Sequence, residues 1–150
     1  MGVLITDAAF DPAEQLRLFT HASKGAGAIV SFTGLVRDAS PAGPVTRLHL
    51  QAYEPMTRRG IEDAIDKARA RWPIQTVSII HRVGDMAPDD PIVFLATASA
   101  HRRAAFESAD FLMDYLKTEA IFWKKEYTED AECWIEPRAE DYQDKNRWNS

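Results

Sequence analysis

The sequence holds a single cysteine, Cys133. That excludes an internal disulfide and a cysteine-built zinc site, and 150 residues can bury a core without either. One domain is the default for this length. No apolar run approaches the roughly 18 residues of a membrane helix. The opening MGVLITDAAFDPAEQ has no basic flank and meets an acid at Asp7. It reads as a short strand rather than a signal peptide, and a cytoplasmic protein is the expectation. Positive charge is scarce: 18 lysines and arginines against 23 acids leave a formal charge of −5. That argues against a nucleic-acid binder working by bulk charge. The deficit is local, however. From Glu126 onward eight acids meet three bases, and the first 125 residues are balanced at 15 of each. The body of the chain is free to gather cations in one place.

Familiar chemical motifs are missing too. There is no GxxxxGK[ST] phosphate loop, no GxGxxG, no HExxH pair and no GxSxG elbow. The four histidines (His21, His49, His81, His101) are scattered. Chemistry is left to lysine, arginine and histidine, with no metal or cofactor indicated.

Periodicity supplies the elements. Asp11-Pro12-Ala13-Glu14 starts a helix, with Asp11 as cap and Pro12 in the first turn, ending near Gly25. The β-branched run 27–36 predicts a buried strand, and 38–44 a loop. A strand follows over 45–53, with Leu48, Leu50 and Ala52 on one face. Ile61, Ala64, Ile65, Ala68 and Trp72 recur at helical spacing until Pro73. Strands are predicted over 74–83 and 92–98, separated by a wide turn. A helix then runs from about Ala100 to Thr118 with Phe106, Ala109, Met113 and Leu116 on its buried stripe. Residues 121–127 alternate as a strand, a short strand covers 133–136, and the polar residues from 137 onward predict a surface tail. Strands and helices mix without strict alternation, which predicts an α+β fold with a mixed or largely antiparallel sheet.

Three clusters carry potential chemistry. In Ser99-Ala100-His101-Arg102-Arg103 an apolar strand gives way to a helix. Cations at a helix N-terminus oppose the dipole, and a bound anion would reconcile them; a solvated helix start capped by Ser99 is the plain alternative. Lys117 lies at a helix end that favours cations anyway. Nearby, Phe122, Lys124 and Glu126 share one face of a strand, and Trp123 and Lys125 the other. A partly desolvated lysine beside another cation has a lowered pKa and can exchange protons near neutral pH, whereas a lysine on an edge strand simply snorkels. Arg37 leaves a buried strand before a Gly/Pro loop, where a guanidinium suits a planar anion; a weak surface pair with Asp38 is the alternative.

With these residues in view, the chain resembles the large, catalytic subunit of molybdopterin synthase. The likeness is carried by FTGLVRD (32–38), the stretch 79–126 containing SAHR, DYLKT and FWKKE in that order, and WIEPR (134–138). It implies an α/β hammerhead-like fold with an additional antiparallel β region. It also implies an activity: sulfur passes from the C-terminal thiocarboxylate of a small ubiquitin-like subunit to cyclic pyranopterin monophosphate (precursor Z), forming the dithiolene of molybdopterin. Two large subunits would form a homodimer within a heterotetramer. The substrate residues implied are Arg37, His101, Arg102, Lys117, Lys124, Lys125, Glu126 and Arg138, with Lys117 and Lys124 catalytic. The sequence departs from the family pattern at Gln51, where an acid is common, and at Asp38, where asparagine is frequent. Two other functions fit parts of the pattern. A non-catalytic module could capture a ubiquitin-like tail or an anionic metabolite in the same cationic pocket. An RNA-binding domain could use Phe122-Trp123-Lys124-Lys125, but the charge balance opposes it.

Overall fold

A computed structural model describes residues 1–149. Its first sheet has the order β1-β5-β7-β2, formed by β1 (Gly2–Thr6), β5 (Ile74–Arg82), β7 (Pro91–Ser99) and β2 (Ala28–Leu35). β1 runs parallel to β5 and the other pairs are antiparallel. The second sheet has the order β3-β4-β8-β9, formed by β3 (Ala39–Ser40), β4 (Gly43–Ala52), β8 (Phe122–Thr128) and β9 (Glu132–Ile135). The fold is α+β with a mixed sheet and an added antiparallel region, as expected. Among the described residues no helix is long and apolar enough to cross a membrane.

The continuous apolar run of β7 has a direct cause. It is covered on both faces, so alternation has no solvent side to report. Val93 and Leu95 join the core beneath α2 (Met56–Arg71) and α3 (Arg102–Thr118), while Phe94, Ala96 and Ala98 pack with Phe19 of α1 (Pro12–Ala22) on the other side. The helix starts follow the sequence unevenly. Asp11 caps α1 by accepting the Ala13 N–H at 3.0 Å. Ser99 does not cap α3; its hydroxyl donates to the Pro73 carbonyl at 2.8 Å, and the cap position falls to His101. Phe106, expected on the buried stripe, is 60% exposed, and Ala105, Ser108 and Leu112 take the inner face.

Several loops turn out to be structured. Residues 38–44 contain a tight hairpin, with Ser40 opposite Gly43, whose φ of +121° favours glycine. The wide turn holds β6 (Gly84–Met86), which pairs with β4 and ties the second sheet to the end of β5. The largest correction is the C-terminus. Instead of a polar tail, α4 (Ala139–Asn146) and a 3-10 turn (Arg147–Asn149) dock on α3. The buried Asp114 carboxylate accepts from Trp148 Nε1 at 2.6 Å and from Arg147 at 2.9 Å. The Trp148 ring meets Trp72 and Phe111 edge-on, at 5.5 and 5.8 Å between centroids. One aromatic and a few charge pairs anchor a helix whose average composition is polar.

The junction before α3 depends on a glycine. The Gly27 N–H donates to the Ser99 carbonyl at 3.0 Å, and a Cβ at Gly27 would run into the Ala100 carbonyl oxygen. Gly27→Ala is therefore expected to cost about 1–3 kcal/mol of stability by overpacking. Denaturant titration checks this; a midpoint equal to that of the parent chain would contradict it.

Candidate active site

The two sheets and the ends of α3 and α4 enclose a cleft of about 600 Å³. Arg37 enters it just beyond β2, Lys117 from the last turn of α3, Lys124 and Glu126 from β8, and Arg138 from the start of α4. The period-2 geometry of β8 sorts its side chains as expected. Lys124 stands opposite Leu50 and Glu126 opposite Leu48, on the inner face. Four cations therefore meet three carboxylates, Glu126, Glu136 and Asp141.

The carboxylates do not neutralise the cations pairwise. Asp141 accepts the Arg138 backbone N–H at 2.9 Å and forms an ion pair with the Arg138 guanidinium at 3.1 Å. Burial pushes the Asp141 carboxyl up, but these bonds and the Arg138 charge hold it below its ordinary value. Among the described residues, Arg37, Lys117 and Lys124 form no ion pair within 4 Å; the pairs of the molecule lie elsewhere. Burial lowers the Lys117 pKa; the Asp141 charge opposes this, while Arg37 and Arg138 add to it. Lys124 is lowered further, to about 8, first by burial and then by the Lys117 charge. Unpaired, partly desolvated cations are costly to maintain without an anion. A lysine titrating near 8 can also hold or release a proton under ordinary conditions.

Not every expected residue belongs here. Lys125 projects from the opposite face of β8 and pairs with Glu132 at 2.7 Å, over the Trp134 ring at 5.1 Å. Its hydrogen bond to Glu132 raises its pKa, the reverse of Lys124. It does not line this cleft. His101 and Arg102 are exposed at the far end of α3 and do not line the cleft. The 17-residue helix separates them from Lys117 by about 24 Å. They therefore cannot converge with Lys117 within one chain. Of the two departures from the family pattern, Gln51 stands opposite Trp123 in the second sheet and Asp38 is exposed; neither lines this cleft.

Two lining residues have no signal in the sequence. His81 of β5 is 5% exposed and stacks on Phe122, with ring centroids 4.0 Å apart. A lone histidine in a strand gives no warning of that. Asp141 falls in the segment expected to be a tail. A second, more open concavity of about 710 Å³ lies beside β1 and β4. Its main charges are already matched: Arg58 pairs with Glu54 at 3.7 Å, and His49 with Asp85 at 2.9 Å. The unpaired cations single out the first cleft.

Residues 5–119 match the family described as MoaE protein. A molybdopterin synthase catalytic subunit from Vibrio cholerae is 46% identical over 139 residues, covering 93% of this chain and 92% of its own. The solved structure of a molybdopterin biosynthesis MoaE protein from Burkholderia ambifaria superposes with a TM-score of 0.83 at 40% identity, over 99% of this chain and 98% of that one. A structure from Helicobacter pylori, a complex of subunits 1 and 2 of molybdopterin-converting factor, shares the fold with a TM-score of 0.77 at 21% identity, over 91% of both chains. The chain belongs to the MoaE family, that of the molybdopterin synthase catalytic subunits.

Proposed function

We propose that this chain is the sulfur-transferring subunit of a cytoplasmic molybdopterin synthase. It would take sulfur from the C-terminal thiocarboxylate of a small ubiquitin-like subunit and install it on cyclic pyranopterin monophosphate, precursor Z. The observation that carries this reading is the set of unpaired cations, Arg37, Lys117 and Lys124, lining one cleft, where burial lowers the pKa of both lysines. Substrate and sulfur donor are both anions, a cyclic phosphate and a thiocarboxylate, and converging cations suit both. Arg37 and Arg138 would hold the phosphate. Lys117 would stabilise negative charge developing during sulfur attack, and Lys124 would meet the thiocarboxylate. Two lysines converging from adjacent elements, α3 and β8, exceed what capture of a phosphate requires, which favours catalysis over capture.

The remaining expected residues, His101 and Arg102, join the site through a second copy in this reading. β2 is an edge strand of the first sheet, with Phe32 and Leu35 exposed on it. Its start, Ala28, is paired with Ser99, two residues before His101; its end leads into Arg37. Antiparallel pairing of two β2 edges about a two-fold axis exchanges these ends. The His101 and Arg102 of one copy would then lie beside the Arg37 of the other. Mixing tests this. Lys117→Ala and Arg102→Ala should each be inactive alone. Unfolded together and refolded, they should regain about one quarter of the parent activity, since half the dimers are mixed and one of their two sites is intact. No regain on mixing would contradict a shared site.

A further inference from the structure

The cleft is built for anions, yet one of its walls carries a neutral acceptor. His81 Nδ1 lies 3.1 Å from the Arg82 carbonyl oxygen. A carbonyl only accepts, so Nδ1 holds the proton and Nε2 is left with a free lone pair. Among the described residues no donor reaches that nitrogen. The ring is fixed by its stacking on Phe122, on the same strand face as Lys124 and Glu126, and it lines the cleft. Burial, with the charges of Lys124 and Lys117, lowers the His81 pKa to about 3, although the Arg82 carbonyl works in the other direction. The ring thus stays neutral near neutral pH.

We propose that His81 Nε2 is a specificity contact that accepts a hydrogen bond from a ring N–H or O–H of the bound substrate. Cations grip phosphate wherever it comes from and cannot distinguish one phosphate ester from another. A fixed, neutral, acceptor-only nitrogen does distinguish them, because a ligand that covers it without a matching donor shuts out water and leaves it unpaired. The substrate class it selects is a phosphate ester bearing a reduced, N–H-rich heterocycle. This inference rests on the cleft being the site for precursor Z.

The test uses the full chain with ¹⁵N-labelled histidine and precursor Z, without sulfur donor, so that nothing turns over. On binding, the Nε2 resonance of His81 should move upfield as its lone pair accepts a proton donor. Steady-state turnover with the loaded small subunit gives the second arm. His81→Phe keeps the ring and the stacking but loses the acceptor, so KM for precursor Z should rise about tenfold or more while kcat changes by less than about threefold. His81→Gln restores an acceptor at similar reach and should recover part of that loss. An Nε2 resonance that stays put while precursor Z binds overturns the proposal, as does a His81→Phe KM within about twofold of the parent. If His81→Phe does not fold, the resonance of the parent chain decides alone. A parent chain that binds no precursor Z, together with undiminished turnover in Lys117→Ala, would instead overturn the assignment of the cleft and the inference with it.

Discussion

Lys124→Ala is expected to slow single-turnover sulfur transfer by about 10²–10³-fold, and Lys117→Ala by a similar factor, with the fold intact. These are the losses that follow removal of one charge-stabilising group from a water-poor site, about 2.7–4 kcal/mol of transition-state stabilisation. Both lysines are partly desolvated, and among the described residues neither is committed to an ion pair. Water is the poorer substitute at Lys124, the more buried of the two. Their effects should also be less than additive, because the Lys117 charge lowers the Lys124 pKa and its removal relieves Lys124. The pH profile separates their forms. If the Lys124 ammonium is what meets the thiocarboxylate, kcat/KM should fall as pH rises through about 8, where that proton leaves. Lys124→Arg keeps its charge far above this range, so the falling limb should disappear even if the remaining rate is low. A profile that instead rises through 8 would assign the neutral amine as the working form. Rates near the parent value in both alanine variants would remove the lysines from the mechanism.

The sorting of Lys124 from Lys125 is legible in the sequence, because a strand alternates strictly and only one of two adjacent lysines can share the face of Phe122. Resemblance alone places both in the pocket, whereas the strand puts them on opposite faces, with Lys124 alone lining the cleft. The separation of His101 from Lys117 is legible as well: one unbroken helix of this length keeps its ends about 24 Å apart. What hides is everything that depends on a distant partner. The docking of α4 turns on Asp114, an acid inside a helix, meeting Trp148 more than thirty residues away. Composition averages that contact out of sight. His81 is hidden in the same way, since its neutrality comes from burial in the tertiary fold, with the Lys124 and Lys117 charges adding to it, and its ring is fixed by stacking on Phe122, more than forty residues away. The hairpin at 39–44 and the strand at 84–86 follow ordinary turn chemistry, but pairing on β4 makes them strands, and no local pattern reveals that edge.

Lys124→Met is expected to make the protein more stable while disabling it. A lysine whose pKa falls from 10.5 to about 8 on folding is charged at neutral pH in a place that disfavours charge. The sign follows from proton counting. Between pH 8 and 10.5 the unfolded chain binds more protons at this position than the folded one, so stability rises with pH across that window. Below it, the folded state bears the whole penalty, about 2–4 kcal/mol from a shift of this size. Methionine has nearly the same length and no charge, and it removes the penalty. Urea titrations of parent and variant should therefore differ by about 2–4 kcal/mol at pH 7 in favour of the variant, and the gap should close as pH climbs past 10. The substrate should reverse the order. An anion in the cleft stabilises the parent through the charge that burdens it when empty, and it gains much less from the variant. A variant no more stable than its parent at pH 7 would mean that the ammonium is already compensated within the chain. The same uncompensated charge is what makes the cleft a site: the free energy withheld from folding is what an incoming anion recovers.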